Sequence, residues 1–305
     1  MALLRMLQTI RTPALDVLVS LITRLGEETV FLVLGLVILW CIDKKWGFRF
    51  LAAGLVGSIA NQLLKSIFLI PRPWVIDPTF EIVEAAREAA TGYSFPSGHT
   101  QTAVTVYGMI AAWLKNKKAT ALCVALIVLV GFSRMYLGVH TPYDVGVSLI
   151  TGALTVFGMM RLYNDAEGNA KKESRINWGV FAFALVLLAY VCFAPKRAAN
   201  IAEFDLHGIE TTWKLVGTTA GVIAAFWIDQ KYVHYETKAS LPVQVVKVAL
   251  GFAVVMVIRL GLKPVLNLLM NGHAAAGAVR YFLMCVVGGG LWPMTFKYFA
   301  RLGRK

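Results

Sequence analysis

Residues 133–144 read SRMYLGVHTPYD, and they fall between two apolar runs, at about 118–133 and 143–163. Ser133, Arg134, His140, Thr141, Tyr143 and Asp144 are the wrong residues for the middle of a bilayer. Thr141 reads as an N-cap, Pro142 as the first helical residue and Asp144 as the third position of that helix. From there Asp144 can fold back toward His140. A carboxylate that accepts a hydrogen bond from one imidazole nitrogen fixes the tautomer and leaves the other nitrogen with a free lone pair. Arg134 adds a cation beside it. The plain alternative is that Asp144 complements the helix dipole. Both can hold, but the alternative leaves His140 and Arg134 unexplained.

The rest of the chain sets this polar stretch in a greasy background. It has 305 residues, 58% hydrophobic and 15% charged, with mean hydropathy +0.66. Soluble domains seldom have this composition. Apolar blocks near the roughly 20 residues a crossing needs recur along its length, separated by short charged punctuation. The fold class expected is all-α, a polytopic transmembrane bundle; a barrel would show alternating strands of about ten residues. The net charge of +13 fits basic cytoplasmic loops and anionic headgroups. No basic tail or nucleic-acid module is visible, so nucleic acid is not expected as a partner. Cys41, Cys123, Cys192 and Cys285 lie in or beside apolar blocks without a CxxC pair, and read as free thiols.

Residues 1–26 read as an interfacial amphipathic segment, with Asp16 and Arg24 interrupting the run after Pro13. No removable signal peptide is expected there. Spans are expected at about 27–42, 46–69, 98–115, 118–133, 143–163, 177–194, 210–229, 243–262 and 277–299, about nine in all. A little over half of the 30 Lys and Arg fall cytoplasmic if loop 43–49 is inside, giving the N-terminus out and the C-terminus in. The organisation expected is an interfacial segment at 1–26, a core at 27–163 and further transmembrane helices at 164–305.

Two other polar clusters interrupt the apolar pattern, and this topology puts both on the same outer face as 133–144. Lys65, Arg72 and Pro73 lie in KSIFLIPRP. Seven residues are nearly two turns, so Lys65 and Arg72 can point the same way from one helix before the prolines end it. Lysine offers a point charge and arginine a planar fork suited to phosphate. Lys65 alone would read as snorkelling; the pair beside Pro73 reads as an anion site. The second cluster is Pro96-Ser97-Gly98-His99. Ser97 reads as an N-cap, and the free N–H groups at a helix start suit an anion. Gly98 permits close backbone approach, and His99 can donate a proton. An ordinary capped helix start fits that tetrapeptide equally well when taken alone.

In order, the three stretches are Lys-x6-Arg-Pro, Pro-Ser-Gly-His and Ser-Arg-x5-His-x3-Asp. This pattern resembles the type 2 phosphatidic acid phosphatase (PAP2) superfamily, over about residues 46–163. The resemblance implies a lipid phosphatase in which His140 attacks phosphorus and forms a phosphohistidine and Asp144 orients His140. His99 would protonate the leaving oxygen and then activate water. Lys65, Arg72, Ser97, the Gly98 amide and Arg134 would hold the phosphoryl oxygens. Phosphoryl transfer needs mainly positioning and charge neutralisation. Three cations can supply that, so no metal and no cofactor is expected.

The substrate expected is a lipid phosphomonoester or pyrophosphate: undecaprenyl pyrophosphate, phosphatidylglycerol phosphate or phosphatidic acid. A bacterial inner membrane with an extracytoplasmic site is the expected location. About nine spans with the N-terminus out also resembles the glucose-6-phosphatase branch, which keeps a soluble sugar phosphate open. A lipid phosphotransferase using the same site is the first rival. A transporter is disfavoured because the charges cluster at span ends rather than the midplane, and a vanadium haloperoxidase because those proteins are soluble. Protein partners are left open. Glu203, Asp205, His207 and Glu210 (EFDLHGIE) read as a solvated outer loop, and Lys247 and Arg259 as snorkelling. Asn61 stands one turn before Lys65, and loop 74–94 borders the site.

Overall fold

The structure is a computed structural model and describes residues 1–194 and 202–302. The basic tail at Arg304 and Lys305, and part of the polar stretch 195–210, lie outside the described residues. The described residues form helices and connecting loops with no strand, as expected. In chain order the helices are α1 (Ala2–Thr9), α2 (Pro13–Thr23), α3 (Glu28–Val37), α4 (Lys44–Phe68), α5 (Pro73–Ile76), α6 (Gly98–Leu114) and α7 (Lys117–Tyr136). They continue with α8 (Pro142–Asp165), α9 (Ala170–Phe193), α10 (Ala202–Ile228), α11 (Leu241–Leu269), α12 (Ala275–Val286) and α13 (Phe296–Leu302).

By length and apolarity this is an integral membrane protein. Among the described residues six helices meet what a crossing needs, or seven if the pair Pro13–Gly26 and Glu28–Ile42, bent by 50°, counts as one span. That is fewer than nine, for local reasons. Helix α6 has 17 residues and opens with His99, Thr100, Gln101 and Thr102. Helix α10 is 27 residues long, but its first half is polar. That helix corrects the reading of residues 203–210 as a loop: Glu203, Asp205, His207 and Glu210 all lie on α10. The segment at 27–42 is too short to cross alone and continues α2 through the bend.

The chain forms two compact units. The first comprises Met1–Phe31, Val56–Asn164 and Phe193–Gly208, and it contains every motif residue. Helices α6 and α7 are joined by Lys115 and Asn116. Lys115 takes the left-handed conformation that ends α6, and the Asn116 side chain caps α7 by accepting from the Lys118 and Ala119 amides. So short a connection makes the two helices antiparallel neighbours. Helix α8 packs closely on α6: a Cβ at Gly152 would sit 2.6 Å from the Val104 Cβ.

The second unit comprises Leu32–Leu55, Asp165–Cys192 and Ile209–Lys305. Its polar contacts are structural. Arg49 Nη2 reaches Glu167 at 2.7 Å and Glu173 at 2.6 Å. Lys247 does not snorkel: it is buried, donates 2.7 Å to the Trp40 carbonyl and lies over the Phe296 ring. The Trp40 carbonyl answers the Lys247 charge without the side chain reaching water.

Candidate active site

The Ser-Arg-x5-His spacing is a helix end. Arg134 occupies the last turn of α7. Val139 N donates to the Arg134 carbonyl (3.2 Å) and Gly138 N to the Met135 carbonyl (3.0 Å), the two bonds of a Schellman motif. Gly138 sits at φ +80°, which glycine adopts without strain. The chain reverses there, and His140 N returns to the Arg134 carbonyl at 3.3 Å. The spacing thus folds His140 back beside the end of α7, which carries Arg134.

The His-x3-Asp spacing is a helix start. Thr141 N donates to Asp144 Oδ2 (2.7 Å), and Asp144 N to Thr141 Oγ1 (3.3 Å). This is a reciprocal capping box with aspartate in its third position. The same Oδ2 lies 3.4 Å from His140 Nδ1, so Asp144 caps α8 and faces the imidazole with one oxygen. The Pro-Ser-Gly-His turn is tied to this start. Ser97 N donates to the Asp144 carbonyl (3.1 Å), Ser148 Oγ donates to the Ser97 carbonyl (2.8 Å), and Ser97 Oγ caps α6 by accepting from Thr100 N.

Lys65 and Arg72 also come to this place, though not from one helix. Helix α4 ends at Phe68, and Leu69 takes φ +51° before Pro71 and Pro73. Lys65 is in the last turn of α4, and Arg72 is the N-cap of α5. The Arg72 fork is filled: Nε donates to the Gly92 carbonyl (3.0 Å), Nη2 to Thr91 (2.6 Å) and Nη1 to Val139 (3.0 Å). Nη1 also stands 2.8 Å from His140 Nε2. A guanidinium can only donate, so Nε2 is the acceptor and the ring proton belongs on Nδ1, toward Asp144. Lys65 Nζ donates to the Tyr93 carbonyl and approaches that of Ser94 at 3.5 Å.

Arg134, His140 and Asp144 are 0%, 1% and 1% exposed. Arg134 Nη1 donates to Thr23 Oγ1 (2.7 Å), and the Glu27 carboxylate acts on Arg134 at longer range. Its Nε and Nη2, and Nε2 of His99, are buried without a protein partner. His99 stands in the first turn of α6, next to the Ser97 cap and Gly98. The structure therefore brings Lys65, Arg72, Ser97, Gly98, His99, Arg134, His140 and Asp144 into one cluster. Three cations there stand around Asp144, with Glu27 farther off. Burying an unanswered charge costs several kcal/mol, so the arrangement suits an anion.

Two residues join the cluster without a motif to announce them. Ser94 Oγ donates 2.6 Å to Asp144 Oδ2 and lies 3.5 Å from His140 Nδ1. Thr23, from the N-terminal segment, holds Arg134. Asn61 also belongs beside the site: it is buried, donates to the Pro96 carbonyl (3.4 Å), and its Oδ1 would lie 3.8 Å from a Cβ at Gly98. A hydrogen bond to a charged group contributes about 1.5–3 kcal/mol. Ser94→Ala is therefore expected to lower kcat by roughly tenfold or more without unfolding the protein, measured on purified enzyme; an unchanged kcat would mean Asp144 needs no second donor.

Residues 46–167 match the PAP2 superfamily, and residues 213–304 match a PAP2 superfamily phosphatase transmembrane extension. Phosphatidylglycerophosphatase B of Bacillus subtilis is 32% identical over 161 residues, 48% of this chain and 75% of that protein. An undecaprenyl-diphosphatase of Bacillus subtilis is 33% identical over 108 residues, 35% of this chain. That match spans 53%, about half, of the diphosphatase's length. The crystal structure of a transmembrane PAP2 type phosphatidylglycerolphosphate phosphatase from Bacillus subtilis aligns at TM-score 0.47 and 27% identity, covering 55% of this chain and 86% of that one.

Proposed function

Because the chain belongs to the PAP2 superfamily, we propose that it is an integral membrane phosphatase. It hydrolyses a phosphomonoester or pyrophosphate of a lipid, with the active site on the extracytoplasmic face. The observation that carries this reading is the cluster of three cations around Asp144, Arg72 and Arg134 buried and Lys65 half-buried, with Arg134 Nε and Nη2 and His99 Nε2 unpaired. The named activities of the Bacillus subtilis relatives, on phosphatidylglycerophosphate and undecaprenyl diphosphate, support a lipid substrate.

The chemistry runs through two displacements. His140 Nε2 attacks phosphorus as the bond to the leaving oxygen breaks, and His99 gives that oxygen its proton. Nε2 is the nitrogen that faces Arg72 Nη1, so the lone pair is released when Arg72 turns this donor to a phosphoryl oxygen. Asp144 takes up the positive charge that develops on the imidazole. In the second step His99 removes a proton from water, the water oxygen attacks the phosphohistidine, and His140 leaves with its lone pair restored. Lys65, Arg72 and Arg134 hold the equatorial oxygens, with the Gly98 amide and the Ser97 hydroxyl at the α6 N-terminus.

The test is phosphate release by the purified protein from polyprenyl pyrophosphate, phosphatidylglycerol phosphate, phosphatidic acid and a sugar phosphate, with no acceptor alcohol present. Turnover of a lipid substrate is expected, with full activity in EDTA because the cations do the neutralising. Vanadate is expected to compete with substrate by taking the five-coordinate geometry. Absence of release from every substrate, or a strict requirement for added Mg²⁺, would overturn the reading.

A further inference from the structure

Four consecutive residues, 91–94, touch most of the chemistry just described. The carbonyls of Thr91 and Gly92 accept from Arg72, and those of Tyr93 and Ser94 face Lys65. The Ser94 hydroxyl reaches Asp144 Oδ2. This stretch is not helical, so no ladder of its own fixes these carbonyls, and its position depends on what anchors it. One anchor is Ser94 N, which donates to the Ile70 carbonyl at 2.8 Å. The other is the Tyr93 side chain. Its hydroxyl donates 2.7 Å to Asp205 Oδ1, and its ring packs edge-on against Phe204 with centroids 5.5 Å apart. His207 is adjacent: its Cδ2 would lie 3.2 Å from a Cβ at Gly92. Phe204, Asp205 and His207 belong to the first two turns of α10, beyond the 46–167 match.

We propose that the opening turns of α10 are a working part of the site, and that the Tyr93–Asp205 hydrogen bond holds loop 91–94 so that Lys65, Arg72 and Asp144 meet the phosphoryl group in register. Tyr93 and Asp205 are positioning residues, acting through the loop without touching substrate. This rests on the functional reading above and extends it to a segment outside the signature stretches. Burial first, and then the bond to Asp205, raise the Tyr93 phenol above its ordinary range, so the hydroxyl stays a donor at alkaline pH. Displacing the loop shifts two cations at once, which penalises the charge-rich transition state.

Tyr93→Phe and Asp205→Ala are each expected to lower kcat/KM by about fivefold to tenfold, the size of one hydrogen bond expressed as a rate. Asp205→Asn keeps an acceptor oxygen and recovers most of the loss. Because both singles break one bond, the double variant Tyr93→Phe/Asp205→Ala falls no further than the worse single. Glu203→Gln, exposed and two residues from Asp205, stays at the wild-type value. The reading that separates positioning from lost folding is vanadate affinity, measured as a thermal shift of the purified protein. Positioning predicts weaker vanadate binding by a similar factor. Unchanged affinity in the variants, or additive losses in the double variant, would overturn the proposal. A wild-type protein that binds vanadate but turns over no substrate contradicts the functional reading and leaves the positioning test intact.

Discussion

His140→Ala is expected to lose turnover by a factor of roughly 10⁴ or more, the scale seen when a covalent nucleophile is removed. The alanine offers no lone pair where Nε2 stood, so no covalent intermediate forms and every remaining contribution comes from binding and charge. The loss should fall on kcat, since the cations proposed to grip the phosphate are untouched. Expression and thermal stability should change little, because the imidazole's partners Asp144 and Arg72 keep other hydrogen bonds: Asp144 to Thr141 N and Ser94 Oγ, and Arg72 to three carbonyls. Steady-state kinetics on the substrate found in the panel checks this. Turnover within tenfold of wild type would assign the nucleophile elsewhere.

Arg134→Met is expected to separate function from stability. Arg134 is fully buried, with one hydrogen bond to Thr23 and two nitrogens unpaired. Its desolvation in the free protein is poorly answered. Replacing such a poorly answered charge with an apolar side chain of similar length removes its desolvation cost, so stability is expected to hold or rise. In the proposed mechanism the same change removes charge that faces the equatorial oxygens, at a loss of roughly 10²–10³ in kcat by analogy with a deleted oxyanion donor. An unchanged or raised Tm together with that loss is the expected pair of results, read by thermal denaturation in detergent and by kinetics. Arg134→Lys keeps charge without the planar fork and should fall between. A variant both inactive and markedly destabilised would mean that Arg134 is chiefly a structural residue.

Much of the site is written locally, and that part is legible. Gly138, Thr141, Pro142 and Asp144 are helix-end signals at fixed spacing, and the local rules that end α7 and start α8 also aim Arg134, His140 and Asp144. Ser97 is legible for the same reason. What depends on distant packing is not. Ser94 is a serine in a loop, and its meeting with Asp144 spans 50 residues of chain. Thr23 meets Arg134 across 111, and Tyr93 meets Asp205 across 112. The same limit explains Lys247, which reads as a snorkelling residue until Trp40 is seen to offer it a carbonyl from far away in sequence. The start of α10 was hidden by composition. Glu203, Asp205, His207 and Glu210 suit a loop by polarity, yet the helix carries them, and Asp205 finds a partner in Tyr93. Lys65 and Arg72 show the reverse case. Their shared destination follows from the motif, while the helix expected to join them ends at Phe68.

The most direct test is to trap the covalent intermediate. Purified protein is mixed with labelled substrate, quenched within the first turnover and digested for mass spectrometry. The account predicts a phosphoryl group on His140, labile in acid and stable in base, that is absent from His140→Ala. Phosphate found on another residue, or wild-type turnover with no phosphoenzyme at any quench time, would contradict it.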